Sequence, residues 1–281
     1  MRIWHQSMTE LHALGAYRAA LEAHARSVVP GGVAVAVHGL PANSYRDRPP
    51  TSALSNAFAH HRILDPVLDN ALAAERDGYD AFVVGSFSEP YLRELRSAVD
   101  IPVVSVTEAT LLVACSIGRC IGLIANAPSI ARIVGESVKR HGLAERAQRP
   151  RWVDPPLDEF EMAKAFEAPS LIAQRFELGA RQAIAEGADV IVPAEGVLSE
   201  LLYKHGTRVI DNVPVLDSFG VTWNYAAMMI QLRSNTGLTV SRGWYYERGD
   251  VDLVRSLHRP SRAESNAPDA TDGATNARDD R

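Results

Sequence analysis

The sequence predicts an α/β fold of two similar lobes, each a parallel sheet clothed by helices, and three observations carry that prediction. Short β-branched runs alternate with longer amphipathic stretches along the 281 residues. Run, helix and run in that order require crossover connections, and hence parallel strands with helices on both faces. The composition, 46% hydrophobic and 22% charged, belongs to a chain that buries a sizeable core without metal or disulfide staples. Finally, D-A-F-V-V-G-S (80–86) and A-D-V-I-V-P-A-E (188–195) look alike. Each follows an amphipathic stretch ending in glycine, Gly78 or Gly187, and each precedes a short strand that begins at a proline, Pro102 or Pro214. This weak internal symmetry is what two similar lobes would leave in a sequence.

The strands follow in order. The first ends near His5 and Gln6. Val33–Val37 stops at His38-Gly39, and Ala81–Val84 runs into Gly85-Ser86. A polar helix is expected over Pro90–Ala98, a strand over Pro102–Val106 and a helix over Glu108–Ile117. Gly122–Ala125, Val190–Val192 and Val213–Leu216 repeat the strand pattern. In an open parallel sheet the ligand crevice lies beyond the carboxyl ends of the strands. Candidate site residues are therefore His5, Gln6, Ser86, Thr107, Glu108, Glu195 and Asp217. From about Arg259 large apolar residues are almost absent, so 259–281 is expected to be a disordered tail.

Several classes are excluded. A formal net charge of -5 with no basic run argues against a nucleic-acid surface. Cys115 and Cys120 lie close together in one apolar stretch, which suits packing and neither a disulfide framework nor zinc. The opening MRIWHQSMTE has no basic segment followed by an apolar one, and no run reaches the roughly 18 apolar residues of a membrane span. The chain reads as soluble and cytoplasmic, with a small-molecule substrate, no cofactor and no metal site.

The segments G-Y-D-A-F-V-V-G-S-F-S-E-P (78–90), I-P-V-V-S-V-T-E-A (101–109), G-A-D-V-I-V-P-A-E-G (187–196) and V-P-V-L-D-S (213–218) resemble the Asp/Glu/hydantoin racemase superfamily. The order and spacing hold from Arg2 to about Tyr245. The resemblance implies two pseudo-symmetric flavodoxin-like lobes with substrate between them, one made of 1–106 plus 211–258, the other of 107–210. It also implies an oligomer.

Racemases of the superfamily place a cysteine at the end of each lobe's key strand, one thiolate removing the α-proton and the other thiol returning one. Here those positions hold Ser86 and Glu195. A serine hydroxyl is too weak a base without an activating neighbour, whereas a glutamate in a partly apolar pocket is a competent one. Glu195 is thus the expected general base and Glu108 its acid partner, two carboxyls in one cleft splitting their pKa values. The resemblance places Ser86, Phe87, Glu195, Gly196 and Val197 around the ligand, with Gln6, His5, Asp217 and Ser218 as further contacts; Thr107 is a candidate as a strand-end residue, and His61 as one of two helix histidines, of which one could reach the cleft.

Each residue also has a plain structural reading. Glu195, Glu108 and Glu89 can be helix-start acids, Asp217 a helix cap, and His60 and His61, adjacent on a helix, face different ways. With both thiols absent, hydrolysis is the favoured chemistry, and the resemblance implies a concrete example, desulfuration of a thiohydantoin carboxylate. The alternatives are a racemase or epimerase using Glu195 and another base, and a non-catalytic small-ligand binder.

Overall fold

The computed structural model describes residues 1–257, so the expected disordered tail lies outside the described residues. The first part of the chain forms β1 (Arg2–Ser7), α1 (Gly15–Val28), β2 (Ala34–His38), α2 (Pro50–Leu54), α3 (Ala57–Leu64) and α4 (Pro66–Arg76). It continues through β3 (Ala81–Gly85), α5 (Leu92–Ala98), β4 (Val103–Ser105) and α6 (Val106–Ile117). The four strands make one parallel sheet in the order β2-β1-β3-β4, with Ser7 beside Gly85 at the carboxyl end.

Alternation explains why this sheet is covered on both faces. Ile3, Ala81, Val83 and Val104 join one core, together with Tyr17 and Leu21 of α1. Trp4, Phe82, Val84 and Val103 point the other way and pack with Val67, Ala71 and Ala74 of α4 and Leu95 of α5. A strand buried on both faces reads as an unbroken apolar run, as A-F-V-V-G does.

The second part comprises β5 (Ile121–Ala125), α7 (Pro128–Arg140), β6 (Arg151–Trp152), α8 (Glu159–Lys164), α9 (Ser170–Ala185), β7 (Val190–Pro193) and α10 (Gly196–His205). Its sheet is parallel in the order β6-β5-β7. The stretch Val213–Leu216 divides. Its first half, β9 (Val213–Pro214), pairs antiparallel with β8 (Val209–Ile210). Asp211 and Asn212 form the turn with φ of 49° and 65°, as a two-residue hairpin turn requires. Val215 then bridges Ile191 in parallel. This extends the second sheet to the strand order of the first, the flavodoxin-like order. Helix α11 (Ser218–Thr236) returns to pack on α1, α6, β3 and β4. Among the described residues no helix is long and apolar enough to cross a membrane.

Candidate active site

The carboxyl ends of β1, β3 and β7 converge on a cavity of about 40 Å³, lined by Ser7, Thr9, Ser86, Phe87, Ser88, Gly196 and Glu195, with Tyr17, Tyr45 and Glu159 closing it. Glu195 caps α10: its carboxylate accepts from the backbone N–H of Val197 at 3.0 Å and of Leu198 at 2.7 Å. Such a cap at a helix N-terminus favours the anion, yet burial outweighs it. Glu195 is 9% exposed. Desolvation, reinforced by the charge of Glu159, pushes its pKa up to about 8.

Glu159 is the first residue of α8, whose start is fixed by a reciprocal cap between Asp158 and Glu161. Its carboxylate accepts from the backbone N–H of Thr51 at 3.1 Å and from the Thr51 hydroxyl. Burial raises its pKa as well, against those hydrogen bonds. Tyr17 is buried, and desolvation followed by the charges of Glu195 and Glu200 holds its phenol neutral.

The cavity floor is tightly built. A Cβ on Gly196 would stand 3.2 Å from both Tyr17 Oη and the Phe219 ring. A Cβ on Gly85 would stand 2.5 Å from the His5 ring. Real side chains do not tolerate the second approach, so glycine is required where β3 ends.

Of the residues expected from the sequence, Ser86, Phe87, Glu195 and Gly196 line this cavity. Ser86 Oγ lies 3.0 Å from Ser88 Oγ. Val197 is buried behind it and offers its N–H to Glu195. Thr107 is one step removed, its hydroxyl donating to the Phe87 carbonyl at 3.2 Å.

The others do not reach the cavity. Glu108 pairs with Arg96, while His141 Nδ1 lies 3.8 Å away. Because α6 begins at Val106, the helical turn swings Glu108 away from the cleft and the expected Glu108–Glu195 pair does not form. His5 accepts from Trp223 Nε1 at 3.1 Å, and burial lowers its pKa to about 3. Gln6 accepts from Trp4 and Asn70. His61 is exposed, and its carbonyl accepts from the Tyr91 hydroxyl. Asp217 caps α11 and lies 2.9 Å from His24 Nε2, while Ser218 donates to the Pro193 carbonyl. Glu89 is buried and bonded to His141 at 2.9 Å, a structural tie.

Sequence reasoning missed Glu159, Tyr17, Tyr45, Ser7, Thr9 and Ser88. Ser7 and Ser88 carried a signal, one residue beyond Gln6 and two beyond Ser86 at strand ends. Among the described residues no group of three or more His, Cys, Asp or Glu could hold a metal ion.

Comparison with known proteins places this geometry. The model of the Asp/Glu/hydantoin racemase family matches residues 15–226. A hydantoin racemase of Rhizobium meliloti is 28% identical over 148 residues, 53% of this chain and 58% of its own length. A hydantoin racemase of Pseudomonas sp. (strain NS671) is 20% identical over 185 residues, 66% of this chain and 72% of its own. The crystal structure of an allantoin racemase from Pseudomonas fluorescens superposes with a TM-score of 0.69 at 20% identity, covering 88% of this chain and 96% of that one. That likeness establishes the two-lobed fold. These findings correct the expectation of hydrolysis: family and relatives are racemases, and none of those named is a desulfurating hydrolase. The loss of two thiols is no argument for water activation, because paired carboxyls serve proton transfer equally well. From residue 15 to residue 226, in fold and in sequence, this chain belongs to the Asp/Glu/hydantoin racemase family.

Proposed function

We propose that the protein is a cofactor-independent isomerase that inverts a carbon beside a carbonyl in a small ring compound of the hydantoin or allantoin type. The observation that carries this reading is the pair Glu195 and Glu159, buried in one cavity at the strand ends, with pKa values pushed upward. Two carboxyls so placed share one proton near neutrality. The ionised member takes the proton from the ring carbon, and the electron pair moves into the flanking carbonyl. Tyr17, kept neutral, donates to that oxygen as it becomes anionic. The protonated carboxyl then returns a proton to the carbon, so one proton leaves and one arrives. Ser86, whose neighbour Ser88 lies 3.4 Å from His60 Nε2, serves as a donor that orients the ring.

The experiment is to incubate single enantiomers of 5-substituted hydantoins and of allantoin in D₂O, following the ring C–H by NMR and the optical rotation. The wild type is expected to lose both signals with no change in composition beyond deuterium. Glu195→Gln is expected to slow exchange by about 10²–10⁴-fold, the usual contribution of a general acid–base. Background-rate exchange by the wild type on every ring, or an undiminished Glu195→Gln variant, would overturn the assignment.

A further inference from the structure

The cavity holding Glu195 is narrow, about 40 Å³. A ring that reaches Glu195 leaves little room in this cavity for its substituent. A second cavity of about 460 Å³ adjoins it, the two sharing Tyr45 and Pro50 as a common wall. Small-ligand sites span about 300–1,000 Å³, so the outer space has the size the inner one lacks.

We propose that this outer cavity receives the substituent of the ring, and that it selects an arm ending in a carboxylate, bound by Arg48. The inference rests on the isomerase reading for the placement of the ring. One wall is apolar, from Leu14 and Phe160; the other is polar, from Asn43, Asp47 and Arg48. Glu10 also faces the space, but its carboxylate is occupied. It accepts the N–H of Asn43 at 2.9 Å and of Tyr45 at 2.7 Å, with His12 Nε2 at 3.5 Å. It braces the loop, and the two N–H groups hold it in its anionic form.

Arg48 is in the opposite condition. Among the described residues its guanidinium has no ion pair, and it is exposed on an arch that also carries Arg46. The arch is set by Arg46 and Asp47, both left-handed at φ of 51° and 59°. It is anchored to the inner cavity at two points, Tyr45 Oη to the Met8 carbonyl at 2.7 Å and Thr51 to Glu159. A planar guanidinium there offers a carboxylate two parallel hydrogen bonds. An aryl or alkyl arm offers the guanidinium no acceptor.

The test compares hydantoins bearing 5-carboxymethyl, 5-methyl, 5-benzyl and 5-aminoethyl arms, by calorimetric binding and by turnover. The wild type is expected to favour the carboxymethyl ring. Arg48→Gln should weaken that ring alone by about fivefold, the loss of an ion pair at an exposed guanidinium, while 5-methyl is unchanged. Asp47→Asn should tighten the carboxymethyl ring. Preference for the aminoethyl or benzyl arm, equal effects of Arg48→Gln on all arms, or no binding of any ring overturns the subsite. Arg48-dependent binding with no inversion of any ring leaves the subsite standing and removes the isomerase reading. Inversion of all arms alike does the reverse.

Discussion

Replacing Glu195 by glutamine should change how the stability of this protein depends on pH, by an amount the structure sets. The carboxyl moves from an ordinary value of 4.5 to about 8 in the fold. At 1.36 kcal/mol per pKa unit, that difference is worth about 5 kcal/mol. The sign follows from proton counting. Between pH 4.5 and 8 the folded state holds a proton on Glu195 that the unfolded state has lost. The stabilisation is therefore full below pH 4.5 and disappears as pH rises through 8. Glutamine never ionises, so from pH 4.5 to 9 the stability difference should move in the variant's favour by about 5 kcal/mol. A nearly constant offset of about 1 kcal/mol opposes it, because an amide oxygen caps α10 less well than a carboxylate spanning two N–H groups. Glu159 titrates with Glu195, so the window belongs to the pair, and Glu159→Gln should shift in the same direction. Urea unfolding at half-unit pH steps measures both variants against the wild type. Parallel stability profiles from pH 5 to pH 9 would refute the account of a buried, proton-sharing pair.

Two further expectations concern residues away from the cavity. Glu108→Gln should leave turnover within about twofold and cost about 1 kcal/mol in urea unfolding, since its part-buried pairing with Arg96 is structural. A hundredfold loss of turnover in a folded variant would restore Glu108 to the chemistry. His24 lies between Glu200 at 2.8 Å and Asp217 at 2.9 Å. Burial pulls its pKa down, but hydrogen bonds and charge from both carboxylates leave it raised. Its stabilisation is then complete below pH 6.5 and lost as pH climbs through the raised value. His24→Gln should flatten the fall of Tm on the alkaline side, and an imidazole NMR titration below 6.5 would contradict this.

The parts of the site legible in the sequence share one physical origin. Ser86 and Glu195 end the two look-alike strands, and strand ends of a parallel sheet always face the crevice. The same rule misplaced Glu108, because three residues past β4 the chain is already helical and direction turns by about 100° per residue. Thr107 consequently reaches Phe87 while Glu108 reaches Arg96. His5 and Gln6 obey alternation, one facing Trp223 and the other Asn70, which no single sequence position reveals as core or cleft. Glu159 was hidden for a different reason. In L-D-E-F-E it is one of three acids at a helix start, and its tie to Thr51 spans 108 residues. Such a pairing has no local signature.

The placement of α11 also governs how the protein is made. The first sheet is complete in sequence at Ser105, but the helix that roofs one of its faces is not finished until Thr236. At about 5–20 residues per second a ribosome needs roughly 7 to 26 s to bridge that interval. Throughout it the Ile3, Val83 and Val104 side lacks part of its cover. A truncation before residue 218 would leave that face without the packing of α11 on β3 and β4.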